Sequence, residues 1–94
     1  MYEINTQQRQ IAKKLGVKIH PSHNHNYKID VLDWNNQYIL SCGSLKYNDY
    51  FSYKRDKGLD YAERRRELYA KRHHKDLSVE GSRGFYAWKI LWKG

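Results

Sequence analysis

Tyr27-Lys28-Ile29-Asp30-Val31-Leu32, then Asp33-Trp34-Asn35-Asn36, then Gln37-Tyr38-Ile39-Leu40-Ser41-Cys42 is the run that decides how this chain folds. Tyr27, Ile29 and Val31 alternate with Lys28 and Asp30, so one face of an extended segment is apolar and the other faces water. Residues 37–42 repeat the pattern, and the four residues between the two runs are turn formers. The pattern predicts an antiparallel β-hairpin. Cys42 fills a small site at its end. Trp34 sits at the turn, where little can cover it, and is a candidate interface residue that stacks on a base or anchors a protein partner.

Upstream, Thr6 to Leu15 carries Ile11, Ala12 and Leu15 at helical spacing, with Ile4 on the same side just before it. Thr6 is placed to cap this helix and Gly16 to end it, and Arg9 and Lys13 face water. Lys18 to Asn26 is polar and holds the one proline, Pro21, which predicts a loop with an extended start over Val17 to His20. Downstream, Tyr47 to Lys57 predicts a short helix, capped by Asn48 or Asp49 and ended by Gly58. Asp60 to Asp76 predicts the longest helix, with Asp60 and Glu63 spaced as a capping box. Leu77 to Arg83 predicts a loop. Gly84 to Trp92 is dense in apolar residues, and Ser82 as a cap with Ala87 in its centre favours a helix over a strand. The expected fold is a single compact α+β domain over residues 1–94, a short antiparallel β-hairpin packed with three to four helices.

Composition bounds the function. The chain has 94 residues, 18 Lys and Arg against 10 Asp and Glu, and a mean hydropathy of -1.03. Aromatic residues make up 15% of it, enough rings to build a core in so polar a chain. A net charge of +8 suits a polyanionic partner: nucleic acid, an anionic membrane surface or an acidic protein. No apolar run approaches the roughly 20 residues that a membrane span needs. A single cysteine excludes an internal disulfide, and the first residues lack the charged and apolar regions of a secretion signal. An intracellular, non-secreted protein is expected.

The long helix concentrates arginine. On a wheel of about 100° per residue, Tyr61, Ala62, Leu68 and Tyr69 form an apolar side, and Arg64, Lys71 and Lys75 a stripe at its border. Such a stripe is ordinarily a solvated face, and its functional reading is contact with nucleic-acid backbone. Arg65 and Arg72 fall within the apolar side. Their ordinary fate is an ion pair, with Asp30, Asp33 or Asp49, or stacking on a tyrosine; the sharper reading is a phosphate clamp. Charge is unevenly spread: residues 1–28 carry five basic and one acidic side chain, whereas residues 59–76 carry six and four. Arg9, Lys13, Lys14 and Lys18 therefore compete with Arg64, Lys71, Lys75 and Arg83 as the nucleic-acid surface, and one shared surface for Arg9, Lys13, Arg64, Lys71 and Lys75 is expected.

Other constellations carry less. His20, His23 and His25 match no metal-ligand spacing, and Cys42 has no partner cysteine, so neither a metal nor a cofactor is expected. Gly81-Ser82-Arg83-Gly84 can hold an anion at the start of a helix, but matches no phosphate-loop spacing and reads first as a turn and cap. Asp30, Asp33 and Glu63 are the best remaining candidates for a nuclease, and no acidic cluster joins them in the sequence.

Three stretches carry a resemblance: Ile11-Ala12-Lys13-Lys14-Leu15-Gly16-Val17; Tyr61-Ala62-Glu63-Arg64-Arg65-Arg66-Glu67-Leu68-Tyr69 with Arg72-His73; and Gly81-Ser82-Arg83-Gly84-Phe85-Tyr86-Ala87 with Ile90-Leu91-Trp92. Together they resemble a family of small, basic, uncharacterised proteins of large DNA viruses and phages. The resemblance implies a viral origin and a place in host cytoplasm or virion, and assigns no residue a role. The functional expectation is a non-enzymatic protein that binds nucleic acid non-specifically, DNA ahead of RNA. The alternative is a minor virion structural protein (cement, vertex or assembly) that contacts other virion proteins through aromatics such as Trp34.

Overall fold

The computed structural model describes residues 2–92. It is an α+β structure with three strands, β1 (Lys18–Pro21), β2 (Tyr27–Leu32) and β3 (Tyr38–Ser44), and four α-helices, α1 (Thr6–Lys14), α2 (Tyr50–Lys57), α3 (Leu59–His73) and α4 (Arg83–Tyr86). A π-helical segment, Ala87–Trp92, continues α4. The contacts gather the chain into two compact units, Met1–Tyr47 and Asn48–Gly94.

The first unit holds the sheet, and here the expected fold is corrected. A two-stranded hairpin under three or four helices is replaced by a three-stranded antiparallel sheet in the order β1-β2-β3, with α1 as its helix. The extended start expected over Val17 to His20 is a paired strand, β1, that runs on to Pro21: Lys18 pairs with Leu32, His20 with Asp30 and Pro21 with Ile29. A proline is tolerated there because it ends an edge strand, where no ladder amide is needed. β2 pairs with β3 through Ile29–Cys42, Asp30–Ser41 and Val31–Leu40, with an irregularity between Val31 and Leu32. Ile19, Ile29, Val31 and Cys42 share one face by this register and are buried, Ile29, Val31 and Cys42 fully. Lys28, expected in water, is also buried, and its ammonium lies 5.6 Å from the centre of the Tyr2 ring.

α1 forms as its periodicity predicts, with its start one residue earlier. Asn5, not Thr6, is the cap: its side chain accepts from the Gln8 N–H while the Gln8 side chain accepts from the Asn5 N–H. This capping box satisfies two amides that helix geometry leaves free. The fully buried Gln8 also donates to the Tyr2 hydroxyl at 2.8 Å. Gly16 ends the helix at φ 77, with the Gly16 and Val17 amides donating back to Lys13 and Ala12. A side chain there would incur the left-handed backbone cost, about 1–2 kcal/mol.

In the second unit Asp49 caps α2, which begins at Tyr50 rather than Tyr47. Gly58 ends α2 and begins α3 without any side-chain cap, so the expected capping box of Asp60 and Glu63 is absent. Ser82 caps α4, its hydroxyl accepting from the Phe85 N–H. Tyr50, Ala62, Tyr86, Ala87, Ile90, Leu91 and Trp92 are buried, and the rings are layered: Tyr69 stacks on Trp92 at 4.4 Å, and Tyr53 lies 6.1 Å from the same Trp92 ring. Gly84 is needed for close approach. A Cβ there would sit 2.6 Å from Asp76 Cβ. Gly84→Ala should lower stability by about 1–3 kcal/mol, the range of overpacked sites, as read by urea unfolding.

Candidate nucleic-acid interface

The sequence between Glu3 and Asp30 contains no carboxylate and five Lys or Arg. The fold turns that bias into a surface. Gln8 and Ala12 are the buried residues of α1, so its outward side presents Thr6, Gln7, Arg9, Gln10, Lys13 and Lys14. These are three cations among neutral polar groups. The Arg9 guanidinium donates to the Ile19 carbonyl at 3.1 Å, which ties α1 to β1 and leaves the rest of the group exposed. Lys13 and Lys14 occupy the last turn, where the helix dipole favours them, and neither pairs with a carboxylate among the described residues.

Lys18 opens β1, half-buried. Its ammonium donates to Asn36 Oδ1 at 3.1 Å and lies 5.3 Å from the centre of the Trp34 ring. That link between strand and turn was not legible in the sequence, because the pairing of β1 with β2 was not. Trp34 is 53% exposed, as an interface residue requires.

The second unit holds the other candidates. On α3, Arg64 and Lys71 face outward, and Lys75 is exposed in the turn that follows. Tyr61 and Leu68, expected in the core, lie outside at 39% and 44% exposure. The buried side of the helix is instead centred on Ala62, Arg66, Tyr69 and His73. Arg72, expected to point inward, is exposed. Asp60 and Glu67 are exposed as well, one turn from Arg64 and Lys71, so this face has mixed charge. Arg83 is exposed as the first residue of α4; the Phe85 amide beside it is taken by Ser82.

Arg65 is half-buried, with its guanidinium 5.4 Å from the centre of the Tyr53 ring and its Nε buried without a hydrogen-bond partner. The stacking reading holds for it; the expected ion pairs do not. Asp49 is fully buried and accepts from the Ser52 N–H at 2.9 Å. Asp33 accepts from the Asn35 and Gln37 amides, and Asp30 from Ser41 Oγ at 2.5 Å. The helix's ion pair is Arg66 with Glu63, one turn apart, and the Arg66 guanidinium also lies 4.4 Å from the Tyr50 ring centre. Their i, i+3 spacing was the available signal for it. The Arg66 hydrogen bond holds the Glu63 carboxyl below its ordinary range, and the Tyr50 hydroxyl adds to this. Burial pushes the Tyr50 hydroxyl upward, and its hydrogen bond to Glu63 pushes the same way.

His20, Asp30 and Ser41 lie in one row across the sheet. Ser41 donates to Asp30, and His20 Nδ1 lies 4.0 Å from the same carboxylate. The carboxylate therefore stands between serine and imidazole, so the imidazole is not placed to take the serine proton. Among the described residues, no three His, Cys, Asp or Glu gather as a metal-ligand set, and no helix is long and apolar enough to cross a membrane.

No family model matches this chain, and neither the curated proteins nor the solved structures contain a significant match.

Proposed function

We propose that this protein binds nucleic acid non-specifically, without catalysis, through the outward side of α1 and the start of β1. One observation carries the reading: that side of α1 has three exposed cations and no carboxylate. Cations so placed neutralise phosphates and release counterions, which gives affinity without sequence readout. The mixed-charge face of α3 is a secondary contact, since Asp60 and Glu67 repel the same phosphates that Arg64 and Lys71 attract. The resemblance to basic proteins of large DNA viruses and phages supports a viral genome as the polyanion, DNA ahead of RNA, and a site of action in host cytoplasm or virion.

The test is titration against a labelled generic duplex at low salt, with polyglutamate as a competing acidic polypeptide. The reading expects a dissociation constant of about 1–100 µM at physiological salt and tighter binding at low salt, with polyglutamate competing weakly. Absence of binding to both duplex and single strand at low salt would sink it. A second reading, a minor structural component of a virion, is favoured by the exposure of Tyr38, Ile39, Leu45 and Tyr47. It expects the protein at fixed stoichiometry in purified particles.

A further inference from the structure

We infer that the hairpin turn of the first unit is a stacking platform for unpaired bases, which makes single-stranded nucleic acid the preferred ligand. The inference rests on the nucleic-acid reading above and adds to it the strandedness of the ligand.

Two aromatic rings are exposed here, and each is held in place. Trp34 is 53% exposed and Tyr38 62%. The turn that presents Trp34 is tied by Asp33, whose Oδ1 accepts from the Asn35 N–H at 2.8 Å and the Gln37 N–H at 2.9 Å. Its backbone is closed by Asn36 N–H to Asp33 O at 3.0 Å and Asp33 N–H to Gln37 O at 2.9 Å. Asn36 adopts φ 65, a conformation asparagine tolerates better than most residues. Lys18 covers part of the Trp34 ring and is itself fixed to Asn36. The Tyr38 hydroxyl is hydrogen-bonded to Ser41 Oγ at 2.8 Å, which holds the phenol by its far end.

The register brings these groups to one face. Lys18 pairs with Leu32 and Leu32 with Tyr38, so lysine and tyrosine lie in the same cross-strand row. The chemistry matches a nucleotide strand: two exposed rings for bases and an ammonium beside one of them for a phosphate. Charge favours it too, with six Lys or Arg against three Asp or Glu in residues 1–47. A duplex cannot use this platform, because its bases are already stacked.

The experiment uses the full chain, an oligothymidine of about 15 nucleotides, and a duplex of equal length, followed by fluorescence anisotropy. The single strand should bind more tightly than the duplex. Trp34→Ala should weaken single-strand binding about 10-fold, the worth of one lost stack, while leaving duplex binding within about twofold. Trp34→Phe keeps a ring and should retain most of the affinity. Circular dichroism of both variants should match the unsubstituted protein, since an exposed ring carries little of the fold. Equal binding of single strand by the Trp34→Ala and Tyr38→Ala variants and the unsubstituted protein would overturn the platform and leave the broader reading standing. Absence of binding to either ligand at low salt would overturn both.

Discussion

Lys13→Gln combined with Lys14→Gln should weaken duplex binding about 100-fold at roughly 50 mM salt, since each lost phosphate contact removes about a factor of ten there. Both ammonium groups are exposed in the last turn of α1, and neither has a carboxylate partner among the described residues. Their removal therefore leaves no buried charge behind. The folding cost is confined to the helix dipole, about 0.3–1 kcal/mol for each. The same neutralisation on α3, Arg64→Gln with Lys71→Gln, should cost less, because Asp60 and Glu67 already offset that face. Filter binding or anisotropy on both double variants reads the difference. An equal or larger loss from the α3 pair would move the interface to the second unit.

Trp92→Ala should destabilise the protein by about 3–5 kcal/mol, the range for deleting a large buried ring. Trp92 is 8% exposed and stacks on Tyr69 at 4.4 Å with an interplanar angle of 16°. Its loss opens a cavity in the aromatic cluster and also removes the stack, itself worth about 0.5–1.5 kcal/mol. Small proteins hold only about 5–15 kcal/mol in total, so the variant should be close to unfolding at physiological temperature. Trp88→Ala removes a half-buried ring, 6.2 Å from Tyr69, and should cost less. Urea denaturation measures both. A loss under about 1 kcal/mol for Trp92→Ala would mean that the ring is not part of the core.

The parts of the fold legible in the sequence were those in which apolar spacing and turn chemistry agree. Ile29 and Val31 are buried as their alternation predicts, and Ser82 caps the C-terminal helix. The extended start over Val17 to His20 was legible, but its pairing as a third strand was not, because Lys18-Ile19-His20-Pro21 offers a single strong apolar residue and a proline. It is a strand because β2 presents an unpaired edge, a tertiary cause that no local pattern records. The error on α3 is more instructive. Sorting its residues into polar and apolar placed Leu68 and Tyr61 inside and gave Arg66 no place. The structure puts Leu68 and Tyr61 outside and half-buries Arg66, since an arginine paired with Glu63 and stacked on Tyr50 packs through its flat face and stem. At the candidate site, the acid-free stretch between Glu3 and Asp30 was visible from composition. The contact of Lys18 with Trp34 needed the register of β1.

Phosphate binding by the unopposed cations of α1 makes duplex affinity depend on salt, and that dependence measures it. With Arg9, Lys13, Lys14 and Lys18 engaged, a plot of log affinity against log salt should fall with a slope of about −3.6, and of about −1.8 in the Lys13→Gln/Lys14→Gln variant. A slope near zero, or one that the double substitution leaves unchanged, would contradict it.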